Sequence, residues 1–380
     1  MRYACSKYFV DIQVLNAENI PSDKPVLLLP NHRSAFMDPI IVGTQIKRTS
    51  HFLARGEQFG NKIMDKIYAR FKMIPIYRKE HTPGKTKNNI EIFKHCYELM
   101  KNNGCLMVFP EGLCQTKHIL SPLKTGSAKI ALESEALYGF KLGVQLIPIG
   151  INYTNPHRFR GKVVLNVGEP ILAQDYQLAY EKDNWKGIQQ LTDDVEEELK
   201  SRILVLENPD DIETVHNVEK LVKSSESLRS DLDENWYKRR SFIGNRLEQL
   251  KKKDAPKFSK LSNSLNRYFF KLNNIGIAKL SNTFARPGLI SVQNFWLKTL
   301  LLILSLPFFV VGLILHYIPF ALTRFISLKS VKRVDFMGSF SFALGLLLFG
   351  IAFIIQARLL FNATNNYWIL VIFFFVWPGL

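Results

Sequence analysis

Leu27–Gly43 reads LLLPNHRSAFMDPIIVG. The apolar run Val26–Leu29 stops at Pro30, and the polar group Asn31, His32, Arg33, Ser34 follows. Asp38 and Pro39 come next, and then the chain is apolar again. An apolar run of this length, closed by proline, has the form of a buried strand, and the second apolar stretch, Met37–Ile46, has that of a helix. The stretch is therefore a strand–loop–helix unit with a histidine and an aspartate in its loop.

The same alternation extends outward on both sides. Strand-like runs occur at Phe9–Leu15, Pro25–Leu29, Ser50–Ala54, Met73–Tyr77, Cys105–Phe109, Val144–Asn152 and Lys162–Val167. Helical patterns fall between them at Met37–Ile46, Glu57–Phe71, Lys85–Asn102 and Thr125–Tyr138. Strands alternating with helices predict an α/β layer fold, whose sites gather where strands end and loops begin. Residues 1–172 are expected to form this domain. Residues 173–290 are charged, with apolar positions at helical spacing, and predict three or four helices packed on it. Pro209 and Pro256 mark breaks between those helices.

Residues 296–380 are of another class. Thr299–Thr323 has His316 as its one basic or acidic side chain, and Phe336–Ala357 has none. At 25 and 22 residues, each is long enough to cross a hydrocarbon core of about 30 Å. Tyr367–Leu380 is apolar but, at 14 residues, short of a full crossing. The loop after the first segment carries Arg324, Lys329, Lys332 and Arg333, which charge bias puts on the cytoplasmic face. A single crossing would then leave the N-terminal domain outside, unless a re-entrant hairpin bent near Pro307 returns the chain to one face or the charge rule does not hold for this loop; the number of crossings stays open. The expectation is a membrane protein, multi-pass or re-entrant, with its catalytic domain on the cytoplasmic side.

The formal net charge is +17 in 380 residues, which suits an anionic partner such as a membrane surface, a phosphorylated metabolite or an acidic carrier. Nucleic acid is not expected: no zinc-ligand spacing, RNA-binding signature or base-reading basic helix is present. Cys5, Cys96, Cys105 and Cys114 have no metal-ligand spacing and read as reduced, structural thiols. The start, MRYACSKYFVDIQV, lacks an apolar core of signal-peptide length.

Three further stretches bear on chemistry. CLMVFPEGLCQTKHILSPLKTGSAKIAL carries a strand into Phe109-Pro110-Glu111-Gly112, then Lys124, Gly126 and a helix start. Glycine permits close approach to the backbone, and a helix N-terminus beside a lysine suits a phosphate. In RFKMIPIYRKE, Arg78 follows a strand, and a guanidinium binds phosphate bidentately. VQLIPIGINY reads as core, with a face toward an acyl groove. His32 has the side chain whose ordinary pKa lies nearest neutrality, and a carboxylate on one ring nitrogen leaves the other to take a proton from a hydroxyl.

NHRSAFMD, IPIYR, FPEG and LIPIGINY, in this order, resemble the glycerolipid acyltransferase family over about Val14–Gly168. The resemblance implies a central mixed sheet flanked by helices and transfer of a fatty acyl group from a thioester to glycerol 3-phosphate. Lysophosphatidate is the alternative acceptor, and a membrane scaffold retaining the fold is the non-enzyme alternative. It implies His32 as general base, Asp38 as its orienting carboxylate and Arg78 as the phosphate ligand. Glu111 and Gly112, with Lys124 and Gly126, would shape and bind the acceptor. Acyl-CoA or an acyl carrier protein would be the donor, membrane lipid a partner, and no metal or cofactor would be needed. Two departures stand out. Five residues rather than the family's common four separate His32 from Asp38, and Leu113 and Cys114 follow FPEG where Ser or Thr is frequent. Thr116 could replace that hydroxyl. Ser34 lacks the Gly-x-Ser-x-Gly elbow of a hydrolase nucleophile.

Overall fold

The computed structural model describes residues 1–78, 83–114, 116–157, 159–224, 235–274 and 292–376. It divides into two compact units, Met1–Ile212 with Asp233–Gln249, and Glu213–Leu232 with Leu250–Leu380.

The first unit is built on an eight-stranded sheet. Its strands are β1 (Asp11–Leu15), β2 (Val26–Pro30), β3 (His51–Arg55), β4 (Met73–Ile76), β5 (Cys105–Met107), β6 (Gln145–Tyr153), β7 (Lys162–Val167) and β8 (Ile171–Leu172). The order is β1-β7-β6-β2-β5-β3-β4, with β8 beside β6. β6 pairs antiparallel with β7 and β8 and the other pairings are parallel, so the sheet is mixed, as expected. β2 lies between β6 and β5, and all five of its residues are buried. That central place explains why its sequence is continuously apolar rather than alternating. Pro75 lies in β4, the edge strand, where a missing N–H costs a ladder least.

Helices α1 (Arg2–Tyr8), α2 (Met37–Gln45), α3 (Lys62–Arg70), α4 (Asn89–Lys101) and α5 (Gly126–Leu137) alternate with the strands. α1 was not foreshadowed, and it delays the first strand to Asp11. After β8 come α6 (Gln177–Lys182) and α7 (Asn184–Ser201). Ile188, Leu191 and Val195 of α7 join Leu27, Leu29, Leu106 and Leu146 of the sheet in one buried cluster with Ala128 and Leu132 of α5. The unit thus continues past residue 172. A Cβ on Gly150 would lie 2.0 Å from the carbonyl oxygen of Arg202, so the end of α7 rests directly on the backbone of β6. Asn152 fastens the same place, donating to Arg202 O at 3.0 Å and accepting from Leu204 N at 3.4 Å.

Three or four helices were expected between 173 and 290; the described residues hold five. The extra one arises because Asp183, in extended conformation, separates α6 from α7 and caps α7 by accepting from Trp185 N and Lys186 N. The others are α8 (Ile212–Ser224), α9 (Trp236–Lys253) and α10 (Ala255–Asn274). Pro209 opens a short 3-10 turn before α8 and Pro256 lies in the first turn of α10, where its missing N–H is no loss. Residues 275–290 lie outside the described part.

The second unit contains α11 (Val292–Ser330), α12 (Val334–Thr364) and α13 (Tyr367–Val376). Thr299–Ser330 and Val334–Thr364 are long and apolar enough to cross a bilayer. A re-entrant reversal near Pro307, one of the two ways out of the charge conflict, does not occur: α11 runs through both Pro307 and Pro319. A proline removes one backbone hydrogen bond from a helix, but an apolar environment leaves the remaining groups no better partner than the helix itself. α12 packs on α11, with Gln356 Nε2 donating to Leu315 O at 2.7 Å. Residues 377–380 of the third apolar segment lie outside the described part.

Candidate active site

Pro30 is the last residue of β2, and Asn31 fixes how the chain leaves it. Asn31 Oδ1 accepts from Ile151 N at 2.6 Å, its Nδ2 donates to Ile151 O, and its own N–H donates to Ile149 O. The asparagine therefore extends the β2–β6 contact through its side chain. His32 follows on this support.

The extra residue between His32 and Asp38 is absorbed by the turn through Arg33–Phe36, and α2 begins at Met37 with Asp38 in its first turn. Asp38 Oδ2 accepts from His32 Nδ1 at 2.8 Å, Arg33 N at 2.6 Å and Ser34 N at 2.7 Å. Its Oδ1 accepts from the Tyr153 hydroxyl at 2.7 Å. A carboxylate can only accept, so Nδ1 of His32 carries the proton and Nε2 is the basic nitrogen. The His32 side chain is 18% exposed and that of Asp38 is fully buried, which leaves the imidazole reachable while its partner is shielded. The Phe109 ring lies against the imidazole, with centroids 4.3 Å apart. Burial, together with Asp38 and the hydrogen bond to it, pushes the Tyr153 hydroxyl well above its ordinary pKa, so it stays a donor.

The FPEG turn meets the same loop. Glu111 Oε1 accepts from His32 N at 2.8 Å and Oε2 from Ser121 N at 3.0 Å, so this carboxyl joins the two loops. Burial raises its pKa, opposed by those two N–H groups. Gly112 has φ +68°, a left-handed conformation that favours glycine, and its carbonyl accepts from Arg78 Nη2. A Cβ on Gly112 would come within 3.5 Å of Arg78 Nη2 and 3.6 Å of Lys124 Cγ. His32, Asp38, Arg78, Glu111, Gly112 and Lys124 are thus brought together by a chain of contacts across three strand ends. Gly126 opens α5, where a Cβ would meet open space, so crowding does not demand a glycine there.

Residues the sequence reading missed complete the site. Tyr153 closes LIPIGINY, which read only as core, yet it donates to the orienting aspartate. Arg33 is buried, and its guanidinium bonds His118 Nδ1 at 3.2 Å and Thr116 O at 3.1 Å, pinning the segment after FPEG. Burial lowers its pKa, while Asp38 and Glu111 oppose that shift. Thr116 thus contributes its backbone carbonyl to Arg33. Cys114 Sγ accepts from Ala35 N at 3.3 Å, and Ser34 Oγ points to Pro156 O at 3.4 Å. The four cysteines are free, and no metal-binding group of His, Cys, Asp or Glu occurs among the described residues.

Residues 11–152, which contain His32, Asp38, Arg78, Glu111, Gly112, Lys124 and Gly126 but not Tyr153, match the family model described as Acyltransferase. Over this stretch, 142 of the 380 residues, the chain is similar to that family's domain. It is similar to glycerol-3-phosphate O-acyltransferase 1 of Saccharomyces cerevisiae, 26% identical over 144 residues, which are 37% of this chain and 19% of that protein. Glycerol-3-phosphate O-acyltransferase 2 of the same yeast is 30% identical over 129 residues, 34% of this chain and 17% of that one. The chain therefore spans about a fifth of the length of these yeast relatives. The 1-acyl-sn-glycerol-3-phosphate acyltransferase of Bacillus subtilis is 27% identical over 203 residues, 52% of this chain and 88% of that protein. Among solved structures, the 1-acyl-sn-glycerophosphate acyltransferase of Thermotoga maritima aligns with a TM-score of 0.37 at 24% identity, over 52% of this chain and 75% of that one.

Proposed function

We propose that this chain is a membrane-bound O-acyltransferase that moves a fatty acyl group from an acyl thioester to glycerol 3-phosphate. The observation that carries this reading is the His32–Asp38 contact at 2.8 Å, with the buried aspartate further held by Tyr153, beside the loop where Arg78 meets Gly112. His32 Nε2 takes the proton of the acceptor hydroxyl as its oxygen attacks the thioester carbonyl. A C–O bond forms, the C–S bond breaks, and the imidazolium returns the proton to the departing thiolate. Asp38 stabilises that imidazolium, while Arg78 and Lys124 hold the acceptor phosphate. Glu111 and Gly112 shape the acceptor side of the site, and the N-terminus of α5 at Gly126 adds to the field felt by the phosphate.

The acceptor reading is supported by the two yeast relatives. Lysophosphatidate is the second reading, favoured by the match to 88% of the Bacillus subtilis protein. The donor is acyl-CoA or an acyl carrier protein, both anionic and suited to a chain of net charge +17. α11 and α12 would hold the enzyme in the bilayer, where a lipid product leaves by lateral diffusion. Four free thiols support a catalytic domain on the cytoplasmic side.

The test is acyl transfer by the purified chain in detergent, with long-chain acyl-CoA and acyl carrier protein donors offered to glycerol 3-phosphate and lysophosphatidate separately. Turnover of glycerol 3-phosphate is expected. Turnover of lysophosphatidate alone would replace the acceptor, and turnover of neither would remove the function.

A further inference from the structure

α3 has no buried residue, although it connects two paired strands of the sheet, β3 and β4. Its apolar side chains Ile63, Met64, Ile67 and, at its end, Phe71 are 73%, 38%, 43% and 52% exposed. At about 100° per residue these four fall within a single arc of about 100°. Lys62, Lys66 and Arg70 recur every fourth position and form the adjoining stripe. An isolated helix this short is marginal in water, but this one is braced by its surroundings. Asn61 caps it by accepting from Ile63 N and Met64 N, Asp65 Oδ1 accepts from Gly60 N at 3.0 Å, and the Phe59 and Tyr68 rings lie 5.0 Å apart. The fold thus holds out a preformed apolar stripe beside a row of cations.

We propose that α3 is a docking helix for an anionic bilayer surface. An apolar stripe flanked by basic side chains matches the interface of such a bilayer: Ile63, Met64, Ile67 and Phe71 enter the boundary of the acyl chains. Lys62, Lys66 and Arg70 extend alongside to the headgroups. Charge selects the occupant, because a protein partner for an apolar stripe has no need of three aligned cations, whereas anionic lipid attracts each one. Location adds to the argument. α3 connects β3 to β4, the ring of Tyr77 just beyond β4 packs on Gly56 just beyond β3, and Arg78 is the next residue. Docking here sets the strand end that carries Arg78 beside the lipid surface. The site gains a short path for a lipid acceptor or product, whichever phosphorylated glycerol is used.

The full chain reconstituted in vesicles tests this with two tryptophan variants, Ile67→Trp on the apolar stripe and Ala69→Trp on the opposite, exposed face. The vesicles contain equal parts phosphatidylcholine and phosphatidylglycerol, with or without bromine on the acyl chains, and the readout is the emission added over the unmodified chain. A helix seated about 5–10 Å into the interface should lose at least about twofold more emission to bromine at Ile67→Trp than at Ala69→Trp. Adding Lys62→Gln, Lys66→Gln and Arg70→Gln should bring the two positions close together. Equal quenching at both positions would overturn the proposal. So would a blue-shifted, unquenched Ile67→Trp, which would mean that protein, such as a second copy, covers the stripe. Quenching of Ile67→Trp that is unchanged by the three glutamines would overturn the anionic surface.

Discussion

At the scale of single residues, Asp38 organises the site. Its Oδ2 takes three N–H groups, His32 Nδ1 and the backbone of Arg33 and Ser34, so Asp38→Asn removes the charge they face, and in one of its two orientations sets N–H against N–H. The expected loss in kcat is on the order of 10²–10⁴, comparable to loss of the base itself. Tyr153→Phe removes a hydroxyl that donates to the same carboxylate; unfolding should show a loss of about 1.5–3 kcal/mol, the range for a bond to a charged group. Glu111 gives a pH signature. Its pKa is raised in the folded protein, so between the unfolded and folded values the folded state binds more protons. Stability from this group is therefore lost as pH rises through that window. Relative to the unmodified chain, the melting temperature of Glu111→Gln should improve as pH rises above the ordinary glutamate range. A difference that does not change with pH would take the buried carboxyl out of this linkage.

Elements explain why these residues meet. β2 supports His32, β4 leads to Arg78 and β5 leads to Glu111 and Gly112, and all three strands are parallel, so their ends lie on one edge of the sheet. The alternation of apolar runs with helical patterns foretold these strands to within a few residues, because continuous burial leaves a plain mark in the sequence. The His–Asp pairing was legible too, and the fifth intervening residue is taken up by the turn before α2. Tyr153 and Arg33 were not legible: an aromatic at the end of an apolar strand reads as core, and an arginine in a loop reads as surface. Only the register of β6 against β2 and the fold of residues 116–121 show their partners. The place of α7 was equally hidden, since it depends on Gly150 meeting Arg202 O. Gly150→Ala should destabilise the protein by at least about 1–3 kcal/mol, the usual cost of overpacking, read from unfolding in denaturant.

For the whole molecule, the sequence divides by composition and the structure by packing, and the two do not coincide. Residues 173–212 differ from the sheet region in charge, yet α7 belongs to the sheet's core and Leu206 N donates to His118 O beside the site. The apolar C-terminal helices were evident from hydropathy alone. Their course was not, because a proline in an apolar segment is compatible with a reversal or with a continuous helix, and α11 is continuous. Gln356 forms a polar link between α11 and α12, and Gln356→Leu should weaken their association by about 0.6 kcal/mol, the average for such bonds.

The central claim, that His32 is the general base, is tested most directly by the initial rate of acyl transfer from a long-chain thioester to glycerol 3-phosphate, measured for the purified chain and for His32→Ala. The expected result is a loss on the order of 10²–10⁴ in kcat with thioester binding nearly intact. A variant that keeps most of its turnover would contradict the account.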